Sequence, residues 1–269
     1  MRWRDWQEKI DDAEVVIYYN QSSLYPISEW LHPGALPIGT GTKDDIRQDL
    51  PNLDWIIRHL LYLGFRKITV ASHESFKGLD RFYRNFDDEV EIVFTTEHFS
   101  EILKSILSND CKDVVLLSGL IPTNADLRHS LMLHRQRDNV ASLLSIRGLQ
   151  FRIGVAEVDD KDYITHFREK PIDRGLLINS NISIVDTKKL LYSGFDYKEL
   201  IDLIDGHGYS IEQIATKTIN HFAEKGMLSS VELTGMTRSP WFVDLSQLET
   251  WVKLDHDEFI EHFSHLVTK

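Results

Sequence analysis

Short apolar runs alternate with helix-spaced apolar positions along most of the chain. Val15 to Tyr18, Lys67 to Ala71, Glu91 to Phe94 and Asp113 to Leu117 each read as a strand. Between them, Asn52 to Leu63 places Leu53, Ile56, Ile57, Leu60 and Leu61 on one helical stripe, and Gly64 follows as a stop. Ser100 to Leu107 repeats the helical period with Ile102, Leu103, Ile106 and Leu107, and Asp126 to His134 does so with Leu127, Leu131 and Met132. Strand–helix–strand alternation at this spacing predicts a mostly parallel sheet with helices on both faces. The uninterrupted Val114-Val115-Leu116-Leu117 fits a strand covered on both sides.

The second half is more mixed. Residues 143–146, 152–158, 163–168, 177–185 and 227–233 read as strands, and Ile211 to Ala223 and Ser246 to Val267 as helices. No repeat, low-complexity tract or flexible linker interrupts the pattern. The expectation is a single α/β domain over 1–269, with a core at 13–150, a mixed-sheet region at 151–243 and a terminal helix at 244–269.

Composition changes this picture little. At 42% hydrophobic the chain has ample material for a core, and its net charge of −12 argues against nonspecific nucleic-acid binding, which depends on neutralising phosphates. Cys111 is the only cysteine, so neither an intrachain disulfide nor a cysteine-based zinc site can form. The start, Met1 to Glu8, is charged and lacks the apolar stretch of a signal peptide, and no apolar run approaches membrane-spanning length. A cytoplasmic protein without membrane contact is expected. The 12 histidines show no metal-ligand spacing; His129 and His134, five apart, share a helix face poorly. Asp255-His256-Asp257 falls in the predicted terminal helix and reads as a solvated face.

Several segments stand in a recognisable order. Tyr18-Tyr19-Asn20-Gln21-Ser22-Ser23-Leu24-Tyr25-Pro26-Ile27-Ser28 follows the first strand, and Ala35-Leu36-Pro37-Ile38-Gly39 comes next. Later come Leu63-Gly64-Phe65-Arg66-Lys67-Ile68, Ile153-Gly154-Val155, Phe167-Arg168-Glu169-Lys170-Pro171, Leu177-Ile178-Asn179-Ser180-Asn181-Ile182 and Trp241-Phe242-Val243-Asp244. In order and spacing these resemble the motifs of the sugar-1-phosphate nucleotidyltransferase family over nearly the whole chain. The resemblance implies a glycosyltransferase-A-like (nucleotide-diphospho-sugar transferase) three-layer α/β sandwich with a mostly parallel mixed sheet. It implies a sugar-phosphate site at Gly154, Glu169, Lys170 and Asn179, and a metal-binding carboxylate at Asp244. Residue by residue, Glu169 and Lys170 read equally as a strand-end ion pair, Gly154 as a packing glycine, and Asp244 as a helix N-cap.

The departures bear on chemistry. In this register Tyr18, Tyr19 and Gln21 take the glycine places of the phosphate loop, Ser23 that of an arginine and Pro33 that of a lysine. Thr96 to Glu101 lacks the family's nucleobase motif, and the strand that should end in Gly-Asp ends in Ser118-Gly119-Leu120, so Leu120 replaces a metal-binding aspartate. A phosphate cradle needs bare backbone amides and cations, and a hard cation needs oxygen ligands. A pseudoenzyme is therefore expected: no catalytic residue, no cofactor, and magnesium only if activity survives. Its partners would be a sugar phosphate or nucleotide-sugar, a second copy of itself, or an active paralogue. Two alternatives stay open: a divergent active nucleotidyltransferase, and a protein-interaction module without a small-molecule ligand. Trp3, Trp6 and Trp30, with Tyr18, Tyr19 and Tyr25, crowd the altered loop and read as core packing or as a partner surface.

Overall fold

A computed structural model describes residues 10–19, 32–38, 50–72, 79, 90–96, 99–108, 111–150, 155–169, 172–194, 211–236, 240–243, 245, 250, 253–254 and 256–266. The strands are β1 (Ile10–Tyr19), β2 (Phe65–Ser72), β3 (Glu91–Thr95), β4 (Asp113–Ser118), β5 (Ala141–Gln150), β6 (Val155–Val158), β7 (Ile164–Arg168), β8 (Ile172–Asp186) and β9 (Leu228–Glu232). The helices are α1 (Asn52–Tyr62), α2 (Phe99–Ser108), α3 (Leu127–Arg135), α4 (Thr187–Tyr192), α5 (Ile211–Glu224) and α6 (His256–His262). Seven strands form one sheet in the order β3-β2-β1-β4-β8-β5-β9, and β6 and β7 pair separately. β1 to β4 run parallel, β8 is antiparallel to both its neighbours, and β9 is parallel to β5.

The continuous apolar strands are covered on both faces, as their composition predicts. On one face Val15, Ile17, Val115, Leu117, Ile182 and Ile184 meet Leu53, Ile57 and Leu60 of α1 and Leu127 and Leu131 of α3. On the other, Val16, Ala71 and Val114 pack with Ile102 of α2. Ala141 packs there with Leu190 of α4 and Phe222 of α5. Gly64, at φ 101°, ends α1 as expected: only a residue without a Cβ takes this turn without strain. Asp126 and Asp186 cap α3 and α4, their side chains accepting from the backbone N–H of His129 and Lys189.

Two expectations need correction. A continuous helix from Ser246 to Val267 is not what the described residues show. Lys253 is in a turn, Leu254 is non-helical, α6 covers seven residues and Ser264–Leu266 is a 3-10 turn. Leu254 lies five positions before Phe259, nearly opposite it around a continuous helix. Breaking the helix lets Leu254, Phe259 and Phe263 all pack on Trp55, Ile38 and Leu245. Helix α4 was not expected; Asp186 at its start and the pair Leu190-Leu191 carried its signal. No helix among the described residues is long and apolar enough to cross a membrane.

Candidate functional site

After β1 the chain builds β2 and β3 on one side of it, then returns to place β4 on the other. Connections leaving the carboxyl ends of β1 and β4 therefore diverge, and ligands in open α/β sheets bind in the crevice at such a reversal. Here β1 ends in Tyr18-Tyr19, and β4 ends in Ser118, followed by Gly119 and Leu120. The two ends are tied by the Gly119 N–H, which donates to the Tyr18 carbonyl at 2.8 Å.

Alternation along β1 sends Tyr19 to the α1 side, where it is 2% exposed. Its ring lies between the backbones of two glycines. A Cβ added at Gly119 would stand 2.3 Å from the ring carbon Cζ, and one added at Gly34 would stand 2.6 Å from the hydroxyl oxygen. Both glycines are therefore required by the ring itself. The edge of His32 meets the ring at 4.7 Å between centroids. His32 Nδ1 accepts from the Gly34 N–H at 3.0 Å, which leaves Nε2 as the protonated nitrogen facing Ser72 Oγ at 3.1 Å. Burial holds the imidazole down to about 4, so it is neutral at pH 7. Asn52, fully buried in the first turn of α1, donates from Nδ2 to the Gly119 carbonyl at 2.6 Å. The Tyr19 hydroxyl and Asn52 Oδ1 have no hydrogen-bond partner among the described residues, and burial raises the tyrosine well above its ordinary range.

The described residues gathered here are thus tyrosine, neutral histidine, serine, asparagine and leucine. Leu120 is 4% exposed and belongs to the main apolar core. The segment Trp241–Val243 and Leu245 runs alongside: the Leu245 N–H donates to the Leu120 carbonyl at 2.8 Å, and Thr123 Oγ1 to the Trp241 carbonyl at 2.9 Å. The two segments that the resemblance assigns to a metal are therefore adjacent, but the first offers a hydrocarbon side chain. The described residues do not fit a magnesium ion, which takes oxygen ligands. Among them no three histidine, cysteine, aspartate or glutamate side chains converge as a metal site.

Of the candidates named from sequence, Gly154, Lys170 and Asp244 lie outside the described residues, as do Trp3, Trp6, Ser23, Tyr25 and Trp30. Asn179 is exposed on β8 just beyond the end of β4, since Ile182 pairs with Leu117. There the strand bulges: Asn181, in the place of the family's glycine, adopts φ 57°, a left-handed conformation that asparagine tolerates better than most residues. Its N–H donates to Asn179 Oδ1 at 2.9 Å, and Ser180 Oγ donates to the Leu144 carbonyl at 2.8 Å. Glu169 is exposed at the end of β7, in the other sheet. No described bond brings it to Asn179. Sequence reading missed His32, Ser72 and Asn52. His32 stood beside the turn signal Pro33-Gly34, whereas Asn52 after Pro51 carried only a helix-start signal.

This strand order, with one reversed strand and helices on both faces, defines an α/β fold of the nucleotide-diphospho-sugar transferase type. Two of the solved structures that share it illustrate the likeness. One is a Bacillus anthracis protein assigned as a glucose-1-phosphate thymidylyltransferase and solved in complex with sucrose; it is 16% identical, with a TM-score of 0.58 over 94% of this chain and 99% of that one. The other is HddC from Yersinia pseudotuberculosis, 14% identical, with a TM-score of 0.53 over 91% of this chain and 99% of that one. At these identities the likeness is one of fold. No protein-family model matches the chain, and no curated protein sequence matches it.

Proposed function

We propose that this chain is a non-catalytic protein built on the nucleotidyltransferase fold, which binds a sugar phosphate or nucleotide-sugar beside the β8 bulge and transfers nothing. The observation that carries the reading is the Tyr19 ring, packed between Gly34 and Gly119 at the point where the fold would receive a triphosphate. Nucleotidyl transfer is accomplished by positioning and by neutralising charge on phosphate oxygens. Removing one preorganised donor typically costs about 3–4 kcal/mol of barrier. Here a ring fills the approach, Leu120 supplies no oxygen, and the described side chains at the strand ends carry no positive charge. The bulge at Asn179–Asn181, by contrast, keeps its left-handed turn and presents an exposed amide at the same edge of the sheet. On this reading no cofactor is used.

The test pairs two assays. Pyrophosphate release is followed with each common nucleoside triphosphate, hexose-1-phosphates and magnesium, and thermal shifts are measured with the sugar phosphates and nucleotide-sugars alone. No release above background is expected. A ligand of this class at about 100 times its Kd should add about 2.7 kcal/mol of stability, lost in Asn179→Ala. Turnover near one per second, an ordinary enzyme rate, contradicts the non-catalytic half. No shift with any sugar ligand contradicts the binding half.

A further inference from the structure

Residues 256–266 are held to the rest of the molecule by side chains. Among the described residues, no backbone hydrogen bond links this stretch to the sheet or to α1. Phe259 and Phe263 pack with Ile38, Trp55 and Leu245 in an apolar cluster separate from the main core. A segment held by its own small cluster can open while the rest of a fold stays closed.

Three histidines tie this stretch down, and each contact fixes where the protons stand. His59, buried on α1, donates from Nε2 to the Ala125 carbonyl at 2.8 Å, so its Nδ1 accepts from His265 Nε2 at 3.0 Å. Asn124, fully buried, accepts the Trp241 N–H on Oδ1 at 2.7 Å. That turns its Nδ2 to His262 Nδ1, which accepts at 3.0 Å. The His262 ring stacks on Trp241, with 5.3 Å between centroids. A further proton on His59 Nδ1 or His262 Nδ1 sets N–H against N–H and removes the bond. The same contacts brace the segment from Trp241 to Leu245, whose N–H donates to the Leu120 carbonyl beside the strand reversal.

We propose that His59, His262 and His265 form a proton-operated latch: acid releases residues 256–266 as a unit and loosens the segment from Trp241 to Leu245, while the seven-stranded sheet stays folded. The groups facing the latch leave this sign unchanged. On α1, Asp54 and Arg58 pair with each other, and the Tyr62 ring lies 4.9 Å from His265. Asp126, beside Ala125, accepts the His129 N–H. Glu258 Oε1 stands 3.8 Å from His262 Nε2, and Lys253 and Glu261 are exposed. Among the described residues no carboxylate pairs with His59 or His265. Burial and the neighbouring ring hold His59 down to about 3, and burial holds His265 down to about 4, against 6.5 when exposed. Released rings therefore take protons that closed ones refuse. As pH falls from 6.5 toward 4, each favours release by up to about tenfold per pH unit.

Amide hydrogen exchange on the full chain, corrected for the intrinsic pH dependence of exchange, tests the latch. Between pH 7 and pH 5 the opening of residues 256–266 should increase by up to about 500-fold. The Trp241 and Leu245 amides should lose protection with it, and all of these should open ahead of β1 and β4 at both pH values. His265→Gln keeps a donor to His59 but does not titrate, so its increase over the same range should be about twentyfold smaller. Each variant is compared with itself at two pH values, so a general destabilisation by the substitution cancels. Protection of residues 256–266 that is the same at pH 5 as at pH 7 overturns the proposal. So does opening no more frequent than that of β1 and β4, release that leaves Trp241 and Leu245 protected, or an increase in His265→Gln as large as in the wild type.

Discussion

At their amino ends β1 and β4 meet in a network of charge; a few residues further on, at their carboxyl ends, the same strands meet in a tyrosine ring, two glycines and a leucine. In the first region Asp113, fully buried, accepts from Arg135 Nε at 2.7 Å, and Arg135 Nη2 reaches Asp12 at 2.8 Å. Thr69 donates to Glu14 at 2.7 Å nearby, and Cys111, raised chiefly by burial, lies 3.8 Å from Lys67 Nζ. Burial raises the Asp113 carboxyl against the opposing pull of Arg135, and it lowers His134 to about 4.

Asp113, His134 and Ser142 even have the composition of a nucleophilic triad, with His134 Nδ1 2.8 Å from Ser142 Oγ. None of the three is more than 2% exposed, and His134 Nε2 stands 3.6 Å from Asp113 Oδ1, too far for a hydrogen bond. The contrast shows that perturbed titratable groups here mark where folding buried charge. The reversal of strand order is where open α/β sheets commonly take ligands, and that place is uncharged among the described residues. Shifted side chains stand at both ends, with Tyr19 and His32 at the carboxyl end, so a search for them alone would not have told the two apart.

The largest expected effect falls on the charged end. Arg135→Met leaves Asp113 buried without its counter-charge and should cost about 4 kcal/mol, read by urea denaturation. Tyr19→Ala comes next: emptying the space between Gly34 and Gly119 should cost about 3 kcal/mol.

A pH series sharpens the comparison further. His32, His134 and His265 are held near about 4 and His59 near about 3 by burial, against 6.5 when unfolded. Below 6.5 the unfolded chain therefore binds more protons than the folded one, and stability falls as pH drops from 6.5 toward 4. Asp113 acts in the opposite sense: its raised carboxyl favours the folded state more as pH falls through its own titration. His59 Nε2 donates to the Ala125 carbonyl at 2.8 Å, so Nδ1 faces His265 Nε2, 3.0 Å away, as an acceptor. His265→Gln keeps a donor there but does not titrate. It should flatten the acid slope by up to about 1.4 kcal/mol per pH unit in urea midpoints taken between pH 7 and 5. Smallest is Tyr19→Phe. It deletes a buried hydroxyl with no described partner and should leave stability unchanged or raise it by about 1 kcal/mol.

Much of the fold was legible in the sequence because hydrophobic period and strand burial are local. The four parallel strands, α1 with its Gly64 stop, and the mixed second half follow from runs such as Val114 to Leu117 and from the stripe on Asn52 to Leu63. The break at Lys253–Leu254 was not legible, because it is set by where Phe259 and Phe263 find room against Trp55. The site was half legible. Register alone placed Tyr19 and Leu120 at the strand ends, and Asn181 in a glycine's place. It could not show that Tyr19 turns inward onto Gly119, because that pairing joins residues a hundred positions apart. Nor could it show that His32 closes over Ser72.

The central claim is that the Tyr19 ring occupies the space at the reversal of strand order, and a double-mutant cycle between Tyr19→Ala and Gly119→Ala tests it most directly. In the wild-type background the added methyl meets the ring and should destabilise by about 2 kcal/mol. In the Tyr19→Ala background the same methyl enters empty space and should cost nothing, a coupling of about 2 kcal/mol. An equal cost for Gly119→Ala in both backgrounds would contradict the account.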